Sequence, residues 1–195
     1  MTTIWRSSLL LLAAALVACG NPAAEKFRGT DVTGADFGKA LSLTGHDGRP
    51  RVLEDFRGKL VVLFFGYTHC PDICPTTLAD TAAALKTLGP DAARVQVLFV
   101  TLDPERDTPE LLAKYVPYFN PDFLGLSGDA AATERTAKEF KIFFEKRPGA
   151  APGAYTLDHS AQVYVLDAAG RLRLVERNER ISQDLAPDLR ALLKE

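Results

Sequence analysis

The chain has 195 residues, 23 lysines and arginines against 25 aspartates and glutamates, a formal net charge of −2, 47% hydrophobic residues and only three cysteines. Balanced charge without a basic run excludes the electrostatic surface that a nucleic-acid partner requires. A chain of this size buries its own core, as one domain, without disulfide help.

The chain opens with MTTIWRSSLLLLAAALVACG, in which Arg6 is followed by an apolar stretch from Leu9 to Ala18 and then Cys19. That stretch is too short to span a bilayer comfortably and reads as the apolar core of a signal peptide. The tetrad Leu16-Val17-Ala18-Cys19 resembles a bacterial lipobox, whose cysteine becomes the lipidated first residue of the mature chain. The expected organisation is a signal peptide over residues 1–18, a lipidated Cys19 with a flexible tether over 19–36, and a folded domain over 37–195 outside the cytoplasm, held at a membrane by its acyl chains. With Cys19 assigned to lipid, one pair remains, Cys70 and Cys74, in a compartment where thiols tend to be oxidised.

Within the domain, Ala40–Leu43 alternates like a strand, and His46–Arg49 reads as the turn of a hairpin with His46 solvated. Lys59–Tyr67 is a continuous apolar run, as in a central strand covered on both faces. Next, PTTLADTAAALKTLG places Leu78, Ala82, Leu85 and Leu88 on one helical stripe, which stops at Gly89-Pro90. A second buried strand over Val95–Leu102 is followed by Asp107 and Glu110 in a capping-box pattern, with Pro109 in the first helical turn. A strand near Phe123–Leu126, a helix over Ala131–Phe140, the loop RPGAAPGA, a hairpin made of AQVYVLD and LRLVE, and a helix near Leu185–Lys194 complete the series. Strand–helix alternation closed by a hairpin and a helix predicts an α/β sheet with helices on both faces. The order matches a thioredoxin-like fold with an N-terminal β-hairpin extension.

The stretch GYTHCPDICPTTL carries the chemistry. Cys74 precedes Pro75 and is expected to be extended or a cap, with Pro75 at the first helical position. Both thiols then lie between a buried strand and a helix N-terminus, where amide groups and the helix dipole favour thiolate. A disulfide staple would close a loop too short to stabilise much. A redox couple or a soft-metal clamp remains. Three residues separate the cysteines instead of the usual two, and two thiolates suit Cu(I) if a histidine or a weaker group completes the set. His69 adjoins Cys70 but points the other way along an extended segment, so it is expected to support the site without ligating. His159 lies in Asp158-His159-Ser160, just before AQVYVLD, and in a thioredoxin-type sheet that loop faces the cysteine turn. Asp158 is a candidate either to orient the imidazole or to serve a local turn. Asp103, at the end of the second core strand, is expected near the same turn, and the RPGAAPGA loop is a candidate mobile element.

The segments GYTHCPDICP, VTLDPERDTP and LDHSAQVYVLDAAG closely resemble the Sco/SenC family of copper-delivery proteins, from roughly Phe37 to the C-terminus. The resemblance implies one copper ion, as Cu(I) or Cu(II), held by Cys70, Cys74 and His159. It further implies a role in assembling the binuclear copper site in subunit II of cytochrome c oxidase, by passing on copper obtained from other periplasmic carriers, by reducing that site's cysteines, or both. The expected setting is the bacterial cell envelope, with the domain facing the periplasm. This describes a metallochaperone more than an enzyme; the alternatives are a thiol–disulfide oxidoreductase that cycles Cys70 and Cys74, or a redox or copper sensor. A peroxidase of related fold is disfavoured because Tyr67 stands where those enzymes place a threonine, three positions before the reactive cysteine.

Overall fold

The computed structural model describes residues 26–195. The expected signal peptide and the lipidated Cys19 lie outside the described residues.

The apolar run after Lys59 becomes β4 (Leu60–Gly66), buried along its whole length, and pairs in parallel with the largely apolar β5 (Val95–Thr101). The register runs from Leu60 opposite Val95 to Gly66 opposite Thr101, so both strands end at one level, and the amide of Leu102 donates to the carbonyl of Gly66 at 2.8 Å. On the other side β4 takes β9 (Val163–Leu166) antiparallel, Phe64 opposite Val163. The residues entering β9 therefore stand beside the residues leaving β4. Around this centre the sheet continues through β10 (Leu172–Glu176) to the short β1 (Thr30–Asp31), and in the other direction through β6 (Leu124–Ser127) to the hairpin β2–β3 (Ser42–Gly45 and Pro50–Val52). Helices α1 (Ile73–Leu88), α2 (Pro109–Phe119), α3 (Ala130–Glu139) and α4 (Ile181–Leu192) cover it, α1 packed against α4, α2 against β6 and α3 against β2. Because β4 and β5 are covered on both faces, their side chains need no polar alternation, which is why β4 reads as an unbroken apolar run and β5 as one interrupted only by Gln96 before its closing Thr101. The fold is the expected thioredoxin-like α/β arrangement with a hairpin added in front.

Several details differ from the sequence reading. The ordered chain begins before residue 37: Phe27 is buried in the core, the Arg28 and Gly29 amides donate to Asp188, and β1 pairs with β10. Helix α1 starts at Ile73 with Asp72 as N-cap, so Cys74 and Pro75 are its second and third residues. Proline is tolerated there because amides of the first turn have no intrahelical acceptor to lose. Asp107 does not cap α2; Thr108 does, accepting from the Leu111 amide, while Asp107 turns inward. His46 is not free in solvent, since its Nδ1 accepts from the Gly125 amide at 3.0 Å and ties the added hairpin to β6. The stretch around RPGAAPGA belongs to a separate two-stranded ribbon of β7 (Phe144–Pro148) and β8 (Tyr155–His159). Only Leu157 of its ten strand residues is buried; β7 shows no apolar alternation, and that of β8 is limited to Tyr155, Leu157 and His159 between exposed Thr156 and Asp158.

Candidate metal centre

Cys70, Cys74 and His159 meet at the end of β4, their ligating atoms all within 4.8 Å of one another. Among the described residues this is the one such cluster of histidine, cysteine and carboxylate groups. Both cysteines are free thiols, Cys70 half-buried and Cys74 fully buried. Each is fixed by a different element. Cys74 sits in the first turn of α1 and packs under Gly66, where an added Cβ would lie 2.7 Å from its sulfur. The glycine is thus required by Cys74 itself, a signal present in the sequence as the residue that ends the apolar run. Cys70 lies in the loop before the helix, and its sulfur accepts from the Cys74 amide at 3.4 Å. Asp72 makes no side-chain cap, so the Cys70 sulfur takes up an amide that a capping oxygen would otherwise satisfy.

Proton sharing sets the charge of the pair. The Cys74 thiol donates toward Cys70 and holds it well below the ordinary thiol range, against the opposing cost of burial and with further help from the Asp72 and Cys74 amides. Cys74 is driven upward by the same bond, by its burial and by the charge on Cys70. At neutral pH the two sulfurs therefore carry one proton between them and titrate as a unit.

His159 Nε2 lies 3.5 Å from the Cys74 sulfur, and its Nδ1 lies 2.9 Å from the Ser160 carbonyl oxygen. A proton on Nδ1 donated to that carbonyl leaves Nε2 as the lone-pair nitrogen facing the sulfurs, the tautomer a metal ligand needs. The ring is further held edge-on by Tyr67, at 5.9 Å between centroids, and by Phe64, at 6.4 Å. Asp158, a candidate to orient this ring, points away along the strand and bonds to Arg147 at 2.8 Å; adjacent residues of an extended strand face opposite ways. His69 stands apart from the cluster: its ring is half exposed, with Nδ1 3.0 Å from the Thr68 hydroxyl and 3.7 Å from Asp107.

Two buried carboxylates missed or half-read in the sequence support the cluster. Asp107 accepts from the Thr68 amide at 3.0 Å, the Thr68 hydroxyl at 2.6 Å and the Thr101 hydroxyl at 2.6 Å, which fixes the start of the cysteine loop to the end of β5. Asp103 accepts from the Tyr155 hydroxyl at 2.7 Å and from Arg106 Nε at 2.5 Å. Both come from TLDPERD, whose two aspartates sit four apart and read locally as turn and cap residues.

Fold and site together define a thioredoxin-like domain whose redox turn has become a two-sulfur, one-imidazole site suited to a soft metal. The chain belongs to the SCO1/SenC family, whose family model matches residues 29–194. It is similar to the copper-bound ScoI of Bradyrhizobium japonicum, at 36% identity and a TM-score of 0.73, over 80% of this chain and 99% of that one. The apo Sco1 protein of Thermus thermophilus is 40% identical with a TM-score of 0.77, over 87% of this chain and 99% of that one. The mitochondrial SCO2 homolog of Mus musculus is 34% identical over 168 residues, 85% of this chain and 64% of the mouse protein. The chain spans about half to two thirds of the length of the curated relatives it matches.

Proposed function

We propose that this protein is a copper carrier that takes one copper ion on Cys70, Cys74 and His159 and passes it on during assembly of the binuclear copper site in subunit II of cytochrome c oxidase. The observation that carries the reading is the convergence of two sulfurs and an imidazole within 4.8 Å at the partly exposed rim of the domain. Two thiolates and a neutral imidazole hold Cu(I) with a net charge of −1, which the leading end of α1 offsets. Three protein ligands with one sulfur at the surface leave room for an acceptor's thiolate to enter, so transfer proceeds by exchange without a free ion. The copper is cargo, and it arrives from other carriers in the same compartment. No helix among the described residues is long and apolar enough to cross a membrane. Attachment through a lipidated Cys19, with the domain in the periplasm of a bacterial cell envelope, follows from the lipobox.

Anaerobic copper titration of the wild type and of Cys70→Ala, Cys74→Ala and His159→Ala tests the reading. One ion per chain is expected in the wild type, with stoichiometry or absorption altered in all three variants; wild-type protein that takes up no copper refutes it.

One observation favours a second reading. The pair is asymmetric, an accessible anionic sulfur in front of a buried protonated one, as a dithiol reductant requires. In that reading the protein reduces the cysteines of the oxidase site. Reduction that survives His159→Ala while copper transfer is lost separates the two roles.

A further inference from the structure

The ribbon β7–β8 ends in His159 yet shares no ladder with the eight-stranded sheet that carries the cysteines. Its backbone hydrogen bonds fix its own shape and leave its place on the domain to side chains. Of those, only Leu157 is buried in the core. Phe144 and Tyr155 pack against the core, and the His159 ring rests on Phe64 and Tyr67; the ion pairs and charge-assisted hydrogen bonds that reach the ribbon come from a single turn. The carboxylate of Asp103 is 1% exposed and binds the Tyr155 hydroxyl with one oxygen and Arg106 with the other. Arg106 then donates to the Tyr155 carbonyl at 2.9 Å, with its guanidinium 3.6 Å from the centre of the Tyr155 ring and 5.8 Å from that of Tyr67. Tyr67 is the ring that meets His159 edge-on. A weaker, exposed ion pair between Glu105 and Lys146 ties β7 to the same turn.

Asp107 of this turn anchors the start of the cysteine loop. One short segment thus grips both halves of the site, the sulfur side through Asp107 and the imidazole side through Asp103.

We infer that Asp103, Arg106 and Tyr155 form a positioning clamp that sets where His159 stands relative to the two sulfurs, and hence how tightly copper is held and how readily it leaves. The inference rests on the copper-carrying reading above. Tyr155 lies four residues from His159 on the same strand, a fixed spacing of about 13 Å, so freedom gained at Tyr155 is passed along the strand to the imidazole. None of the three residues is itself a ligand.

The test compares the full chain in detergent with Tyr155→Phe, which deletes one hydroxyl and keeps the ring against Arg106. Asp103→Asn serves as a second break, and Tyr118→Phe, an exposed tyrosine on α2, as the control. In apo protein, amide hydrogen exchange is expected to quicken over residues 144–159 in the first two variants and to stay unchanged in β4 and β5. Cu(II) affinity is expected to fall about tenfold, the equivalent of one charge-assisted hydrogen bond, with faster release and an altered sulfur-to-copper absorption band. In a His159→Ala background the same substitution is expected to change copper affinity by less than about twofold, because a clamp that acts through the imidazole has nothing left to position. Unchanged exchange and affinity in Tyr155→Phe overturns the inference, as does an equal loss with and without His159. Wild-type protein that binds no copper overturns the parent reading and this one with it, whereas a binding wild type with an indifferent Tyr155→Phe overturns the clamp alone.

Discussion

Glu176, the last residue of β10, is 1% exposed, and neither carboxyl oxygen has a hydrogen-bond donor facing it. Gly29 lies directly over it, with room for no side chain: a Cβ there would fall 2.5 Å from the carboxyl group. From α4, Asp188 and Asp184 face the same space. Asp188 is committed to the Arg28 and Gly29 amides, and Asp184 to Arg180, with the Arg28 guanidinium 3.9 Å away. Burial first, and then the charge and hydrogen bonding of Asp188 and the charge of Asp184, push the Glu176 carboxyl up from 4.5 to about 8. Below about 8 the carboxyl is expected to keep its proton, which it can share with Asp188, the residue that fastens the N-terminal segment to the last helix.

The sign follows from linkage. The folded state keeps a proton that the unfolded state gives up above 4.5, so stability declines as pH rises from about 5 to 8 and levels off above the folded value. A gap from 4.5 to about 8 sets a ceiling of about 5 kcal/mol at 1.4 kcal/mol per tenfold; water entering the opened site reduces this to an expected 2–3 kcal/mol. Glu176→Gln keeps the shape, supplies a permanent donor to Asp188 and has no proton to lose. Urea unfolding followed by circular dichroism from pH 5 to 9 is the assay. Wild type and variant should lie within about 1 kcal/mol of each other at pH 5, with the variant ahead by 2–3 kcal/mol at pH 9. Groups remote from Glu176 contribute equally to both proteins and cancel in the difference. Parallel curves across the range would refute the reasoning.

Two further outcomes concern the metal site. Because the sulfurs hold one proton between them at neutral pH, copper uptake should release about one proton per ion, and affinity should weaken about tenfold per pH unit in acid; calorimetry in two buffers of different ionisation enthalpy measures the count, and zero released protons contradicts the shared-proton state. Gly66→Ala places a Cβ 2.7 Å from the Cys74 sulfur with Phe99 at 3.0 Å behind it. Neither neighbour is a flexible chain end, so the variant should lose about 1–3 kcal/mol by overpacking and show a displaced copper absorption band; a wild-type spectrum at wild-type stability would argue against this seating of Cys74.

The parts legible in the sequence share one physical property, that a single local pattern decided them. Unbroken apolar runs could only be buried strands, Gly89 had to end α1, and two cysteines beside a helix start had to form one site. His159 became legible only through the fold, since 85 positions separate it from Cys74. What escaped depends on partners that no local pattern names. Asp107 looks like a cap because it stands next to one, and its true role is visible only when Thr68 and Thr101 are brought beside it. In the β7–β8 ribbon, β7 is exposed almost throughout and carries no period-two signal, and the alternation of β8 is confined to Tyr155, Leu157 and His159. Phe27 lies in a stretch too polar to suggest docking, yet it is covered by the core.

The early start of the fold braces the edge strand next to the site. Thr30 stands opposite Val175 and Asp31 opposite Leu174, and Gly29 lies against Glu176, which the register carries through Val163 to Phe64, two residues before the end of β4. At the other end of β10 the Lys26 side chain meets Glu195, which also binds Arg173. The first described residues therefore span β10 from the level of Arg173 to that of Glu176, and β10 in turn holds β9, the strand that His159 leads into. A segment read from its polarity as a tether is thus part of the support of the sheet that carries the site.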